Sequence, residues 1–347
     1  MAQGDFAKVG ANSWVAMFPE STYGTMSLTS SANLQTLQPI SVGFQTSFDS
    51  QKLDQLSVNR GYTQRVQLNK NVGGSLETHF HPEESLHLFV NAMGGTFTFS
   101  SITSGSLYSI TAGNWGTGST IGSLSFAVGK GDAHTVRYSG GVVSNLKLTA
   151  KVGEPAKLSC EMIFQDSSIS SADTLTTVLS FSTIAPFTFV DGVFRYDATE
   201  ASAGSSAANQ PIQEFSLELE NGLVQDDQAR QLGSRLLSRR PPATRREVKL
   251  STTQRFDTLT SFNQMVQATE GSVELYFVGA TISAEYNREV FIRLPRVVLA
   301  SGGDPEIGGP DVIQNTLEWD VLISGNAATT TSRELGVTWR SARISSI

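Results

Sequence analysis

The stretch 143–166, "VSNLKLTAKVGEPAKLSCEMIFQD", decides the fold class. Its first part puts Leu146, Leu148, Ala150 and Val152 on one side and Asn145, Lys147, Thr149 and Lys151 on the other. Side chains of an extended chain alternate between two faces, so this spacing predicts a strand with one dry and one wet face. Gly153, Glu154 and Pro155 turn the chain. Leu158, Cys160, Met162 and Phe164 then alternate with Ser159 and Glu161 on the way back, which makes an antiparallel hairpin. "QEFSLELEN" (213–221) repeats the pattern, with Phe215, Leu217 and Leu219 inward and Glu214, Ser216, Glu218 and Glu220 outward. Antiparallel sheets packed on a core by one face carry this signature.

The rest of the composition agrees. Apolar residues make up 39% of the 347 and charged ones 16%, with Ser, Thr, Gly, Asn and Gln filling the difference. That mix suits an all-β protein with many turns. The length allows two ordinary domains or one large one. A net charge of −7 argues against a duplex-binding surface spread over the whole protein. A single cysteine excludes an intrachain disulfide and a cysteine-based zinc site, and Cys160 reads as a small apolar filler on the core face of its strand. "MAQGDFAKVG" lacks a basic region followed by an apolar stretch, and no run approaches the roughly 20 apolar residues of a membrane helix. A soluble protein made in a cytoplasm, with no membrane partner, is expected.

Helical signals are few. In "HPEESLHLFVNAMGG" (81–95), Pro82 suits a first turn and Glu83 and Glu84 complement the helix dipole. Leu86, Phe89, Val90 and Met93 form an apolar stripe, and Gly94 stops the helix. In "RFDTLTSFNQMVQATEGS" (255–272), Asp257 is the expected N-cap, Leu259, Phe262 and Val266 the stripe, and Gly271 follows. Each helix is preceded by strand, polar loop and strand. In the first case these are "ISVGFQTSF", "DSQKLDQLSVNRGY" and "TQRVQLNK"; in the second, "IQEFSLELEN", an arginine-rich loop and the strand from Glu247. The chain therefore reads as two divergent copies of one unit, roughly 175 residues apart, divided as 1–185 and 186–347.

His79, His81, Glu83, Glu84 and His87 lie within nine residues and have the look of a metal site. The second copy has no histidine there. The spacing also fails the cupin pattern: after Gly73 and the His-x-His pair, the glutamates come too early, and Pro82 opens a helix where a cupin continues a strand. The cluster reads as a strand face followed by a helix N-terminus, with no metal and no cofactor. "GTGSTIG" has glycines at the wrong spacing for a phosphate loop, and no Gly-x-Ser-x-Gly elbow occurs. Asp226 and Asp227 read as solvated loop residues. No catalytic constellation emerges, and the protein is not expected to be an enzyme.

Residues 221–246 depart most in composition. Arg230, Arg235, Arg239, Arg240, Arg245 and Arg246 against two aspartates give +4, leaving −11 on the rest of the chain. The segment lacks aromatic residues for base stacking. Val224, Leu232, Leu236 and Leu237 supply apolar anchors, and arginine forks pair with carboxylates, so a protein-binding arm is expected, mobile in a free monomer and docked on a copy of the same acidic chain.

The layout resembles the major tail tube proteins of long-tailed bacteriophages. The resemblance rests on "MFPESTYGT", "GGSLETHFHPEESLHLFVNAMGG", "PFTFVDGVFRYD" leading into "IQEFSLELENGLV", the 143–166 hairpin and the terminal "TLEWDVLISGN". It implies a mainly β fold of two tandem tail-tube-type β-sandwich or half-barrel units, each with one flanking helix. Sheets of such units join into rings around an inner barrel, and rings stack into a hollow tube. A doubled chain then needs three copies per pseudo-hexameric ring. The resemblance also implies the remaining expectations: an inter-ring role for the arginine-rich loop; tape measure, tail terminator and baseplate or tip proteins as further partners; DNA sliding through without specific binding; and a place in the virion after assembly in the host cytoplasm. Two rivals stand beside it. One is another phage structural or decoration protein; the other is a carbohydrate-binding β-sandwich using Trp14, Trp115, Trp319 or Trp339 as stacking platforms, although Trp319 alternates with Leu317 and Val321 as a core residue would.

Overall fold

A computed structural model describes residues 13–26, 35–54, 61–62, 64–94, 96–102, 105–112, 121–131, 134–170, 181–197, 209–224, 229–256, 259–283, 286–305, 312–324 and 334–342. The first half contributes β1 (Trp14–Pro19), β2 (Gln35–Leu37), β3 (Pro39–Val42), β4 (Gln45–Lys52), β5 (Arg65–His79), α1 (Leu86–Met93), β6 (Thr96–Ile102), β7 (Gly105–Ala112), β8 (Leu124–Lys130), β9 (His134–Lys151), β10 (Lys157–Phe164) and β11 (Asp166–Ser170). The second half contributes β12 (Gly192–Asp197), β13 (Ile212–Glu220), β14 (Glu247–Arg255), α2 (Thr260–Gln267), β15 (Glu270–Ser283), β16 (Tyr286–Ser301), β17 (Gln314–Val321) and β18 (Leu335–Ser341). The fold is mainly β, and every pairing between these strands is antiparallel.

The 143–166 hairpin forms as its alternation predicts: Leu146, Leu148, Leu158, Cys160, Met162 and Phe164 are buried. Val152 is the exception, because the strand ends at Lys151 and leaves it exposed at the hairpin tip. Eight strands run side by side in the order β4–β5–β10–β9–β13–β14–β17–β16. The first half of β9 belongs to another sheet, where it pairs with β8 and β11; β8 pairs with β1, and β1 with β2. Gly140 lets the strand turn from one sheet to the other. Its φ is +68°, and a Cβ there would come within 2.6 Å of Gln165 Cβ, so only glycine fits.

Pairings of the first half recur in the second. β1–β8–β9 is matched by β12–β15–β16, β4–β5–β10 by β13–β14–β17, and β9–β11 by β16–β18. A shared β-bulge fixes the alignment. Register slips by one residue at Ser144 in the β9–β10 pair and at Ala300 in the β16–β17 pair. Met162 therefore corresponds to Trp319, and their neighbours Gly74 and Leu250 correspond to one another. The first half carries the extra strands β2 and β3 and an inserted hairpin, β6–β7, whose β7 pairs with β18 of the second half.

One continuous core serves both halves. Phe80 sits in its middle, with Phe89 of α1, Phe187, Phe277 of β15 and Trp339 of β18 around it at ring-centroid distances of 5.1–5.7 Å. Rings so arranged add tilted and edge-to-face attraction to the area they bury. Helix α1 is buried almost throughout and ends on Gly94 in the left-handed conformation, φ 53°. It starts at Leu86, later than Pro82 suggests, because 82–84 form a separate turn. Helix α2 departs further from expectation. Leu259 and Val266, two members of its expected stripe, are 63% and 65% exposed, and its cap is Ala268, not Gly271. Asp257 lies outside the described residues.

Candidate assembly surfaces

The histidine cluster serves the entry into α1. His81 Nδ1 faces the backbone N–H groups of Glu83 and Glu84, at 3.2 and 3.4 Å, and accepts from both. Its Nε2–H donates to the Ile184 carbonyl at 2.7 Å. Glu83 pairs with Arg288 of β16 at 2.9 Å, and Trp339 Nε1 donates to the Pro82 carbonyl at 2.6 Å, so second-half residues hold the turn. The buried Glu84 carboxylate accepts from Gln38 N–H. Burial pushes its pKa up, and the pull of His81 and of backbone donors offsets this only in part. Among the described residues no group of histidine, cysteine and carboxylate side chains is arranged to hold a metal ion. Cys160 is buried, with its thiol pKa pushed up by burial. Trp319 and Trp339 are buried as well, which removes them as stacking platforms; Trp115 lies outside the described residues.

The arginine-rich segment lies against the first half of its own chain, where a mobile arm was expected. Lys70 N–H donates to the Arg235 carbonyl, and Gln165 Nε2 donates to the Leu237 carbonyl. Leu237 is buried. Arg230 donates to Asn71 Oδ1 at 2.6 Å, and Arg240 donates to the Ile121 carbonyl at 2.8 Å while lying over the Tyr23 ring. At the base, Asn221 Nδ2 donates to the carbonyls of Ala92 and Val143, and Arg246 donates to Asn221 Oδ1 and to the Met93 carbonyl. Burial draws the Arg246 guanidinium down to about 10, against the pull of Glu334. These bonds satisfy the free carbonyls at the α1 C-terminus, which a helix cannot satisfy by itself. Val224 and Leu236 are half-buried, whereas Leu232, Arg235, Arg239 and Arg245 face outward. The sequence reading grouped all ten residues as one external arm; Leu237, Arg230, Arg240 and Arg246 are instead tied to their own chain. The signal for this was Asn221 and Arg246 flanking the two strand ends, polar residues next to alternating core positions.

Two further surfaces stand out. All eight residues of β4 are exposed, and among the described residues its outer edge pairs with no strand. The polar face of the eight-stranded run carries ordered charge. Lys147, Glu218, Lys249 and Asp320 face one another across four strands, so signs alternate. One step along, Glu161, Asn145, Glu220 and Glu247 form an acidic row, and Lys249 reaches Glu247 at 3.1 Å. Such rows suit a surface that stays wet.

A mainly β chain with an open sheet edge and a charged, wet sheet face has the build of a self-assembling structural protein. The chain belongs to the phage tail tube protein family, whose family model matches residues 10–321. No curated protein matches it. It is thus a structural component of the phage tail, and among the described residues no helix is long and apolar enough to cross a membrane.

Proposed function

We propose that the chain forms the tail tube as rings of three copies, each copy supplying two of six similar units (1–185 and 186–347), through whose bore the DNA leaves. One observation carries this reading. Within a single chain, β13 of the second half adds to β9 of the first, while β4, the counterpart of β13, keeps an edge open among the described residues. A neighbouring copy offering its second half to that edge repeats the internal junction, and three copies close the ring. The face bearing the acidic row lines the bore and repels DNA phosphates, so DNA passes without sticking. Three-dimensional reconstruction of assembled tubes tests the proposal: three chains per ring with the sheet face inward is expected, and six chains per ring would refute it.

The loop of Val224 to Arg246 bridges stacked rings in this reading. Leu237, Arg230, Arg240 and Arg246 hold it from below, and Leu232, Arg235, Arg239 and Arg245 meet the next ring. Exposed arginine pairs are each worth about 0–1 kcal/mol, so the repeated contacts around the ring act together. Replacing Arg235, Arg239 and Arg245 with alanine is expected to leave the monomer folded and to make tubes dissociate at lower salt. Unchanged salt tolerance in a sedimentation assay would remove the loop from this role. Tape measure, terminator and tip proteins would meet the tube at its bore and ends after assembly in the host cytoplasm.

A further inference from the structure

The shared bulge carries the correspondence of the halves beyond the strands. Gly74 and Leu250 correspond, so Asn71 matches Glu247 and Lys70 matches Arg246. Ser47 pairs with Asn71 as Glu220 pairs with Glu247, so the next residue in each strand, Phe48 and Asn221, also correspond. Both helices have eight residues and end on a left-handed cap, which matches Ala92 of α1 with Val266 of α2. Inside the chain, Asn221 rests on Ala92 and is wholly buried there. Its counterpart Phe48 is exposed, as are Val66 and Leu68 on the same ribbon, and the counterpart of Ala92, Val266, is exposed beside Leu259.

We infer that Phe48 of one copy packs on Val266 and Leu259 of the next, an apolar version of the contact that Asn221 and Ala92 make through hydrogen bonds within the chain. The inference rests on the ring reading above and names the partner surface: the β4–β5 ribbon, with Val66 and Leu68 beside Phe48, against the outer face of α2. The occupant is a second copy because the internal junction has already placed the matching ribbon on the matching helix. The polar contact is permanent and folds with the chain. The apolar one forms after release of the monomer, between side chains that are otherwise wet, and burying them favours association. The difference also prevents the two junctions from exchanging partners. Phe48 has no group to satisfy the Ala92 and Val143 carbonyls, and Asn221 has none to fill the space over Val266.

Cross-linking tests the contact. Phe48→Cys and Val266→Cys are placed together in the full chain, where buried Cys160 stays out of reach, and sedimented tubes are treated with a short bismaleimide. Dimers and closed covalent trimers on a denaturing gel are expected, absent from each single-cysteine chain. Mixing the two single-cysteine chains before assembly should give dimers, which shows that the contact is between copies. Val266→Asp should raise the concentration needed for assembly about tenfold or more, roughly the effect of losing one buried valine side chain, with unchanged thermal unfolding of the monomer. Tubes with three chains per ring but no cross-link would overturn this contact alone. Six chains per ring, or a parent chain that stays monomeric at every concentration, would overturn the ring reading and the contact with it.

Discussion

Helices α1 and α2 are the same length, stand at matched places in the two halves and end on the same kind of cap, yet one is buried and the other wet. Seven residues of α1 are buried; in α2 only Ser261 is. The difference lies in what the chain lays over each. The inserted strand β7, Trp339 and the Asn221–Arg246 pair all cover α1 or its ends. For α2 the described residues supply chiefly β16 on one side. A helix covered on every side by its own chain is part of the fold, and one covered on a single side is a surface. In the ring reading proposed above, matching the two halves separates contacts made in folding from contacts left for assembly.

The largest effect is expected where the second half closes over α1. Arg246→Met keeps the apolar stem and removes the guanidinium, leaving the Met93 carbonyl and Asn221 Oδ1 without their donor in a buried place. Orphaned buried acceptors cost about 1–3 kcal/mol each, so urea unfolding of the monomer should show a loss of about 2–4 kcal/mol. Val266→Ala in α2 should shift it by less than about 0.5 kcal/mol, since that side chain is exposed in the monomer. Equal losses at the two sites would erase the distinction between covered and open helix.

Gly94→Ala comes next. The glycine has φ 53°, and an added Cβ would meet Ile121 Cγ1 at 2.9 Å. Left-handed strain together with that crowding should destabilise the monomer by about 1–2 kcal/mol in the same assay.

The turn before α1 carries a pH signature. Burial raises the Glu84 pKa above its ordinary 4.5, so the folded chain holds this proton when the unfolded chain has released it. Its effect is therefore absent in acid, below the unfolded value. Stability falls as pH rises from about 4.5 through the raised folded value, and the cost persists above it. Glu84→Gln should remove that fall, matching the parent near pH 4 and exceeding it at pH 7 in urea unfolding. A variant less stable than the parent at pH 7 would mean that the Gln38 bond outweighs the burial cost.

How much of this was legible in the sequence depends on which force set each element. The 143–166 hairpin and β13 were readable because one face of each is dry, and period-2 alternation records that directly. Their junction was written more faintly, in Lys147 facing Glu218 across β9 and β13. The apolar stripe of α2 was legible as spacing, but spacing does not say whether its own chain covers it, and Leu259 and Val266 are exposed. The arginine segment misled because composition averages over its parts. Its charges suggested a free arm, while Leu237 and the Asn221–Arg246 pair, set between charged neighbours, fasten it down. Asn221 and Arg246 at the two strand ends were a signal that something polar is held there, but which backbone carbonyls they bond needed three-dimensional placement.

The smallest expected effect sharpens the comparison from the α2 side. Ala268 caps α2 with φ 47°, a conformation in which a Cβ crowds the backbone and which glycine adopts freely. Gly94 holds the matching place in α1, where its neighbours leave no room for a Cβ. Ala268 is exposed, so nothing but its own backbone opposes it. Ala268→Gly should therefore relieve about 1 kcal/mol of strain, less the extra entropy glycine gives the unfolded chain, for a net gain of a few tenths to about 1 kcal/mol. Thermal unfolding of the monomer should rise accordingly. The same change should leave tube assembly intact, because the side chains assigned to the neighbouring copy, Val266 and Leu259, are untouched. A gain in monomer stability with loss of tubes would mean that the Ala268 methyl group is itself buried between copies. The outer surface of α2 would then extend one turn further than Phe48 covers.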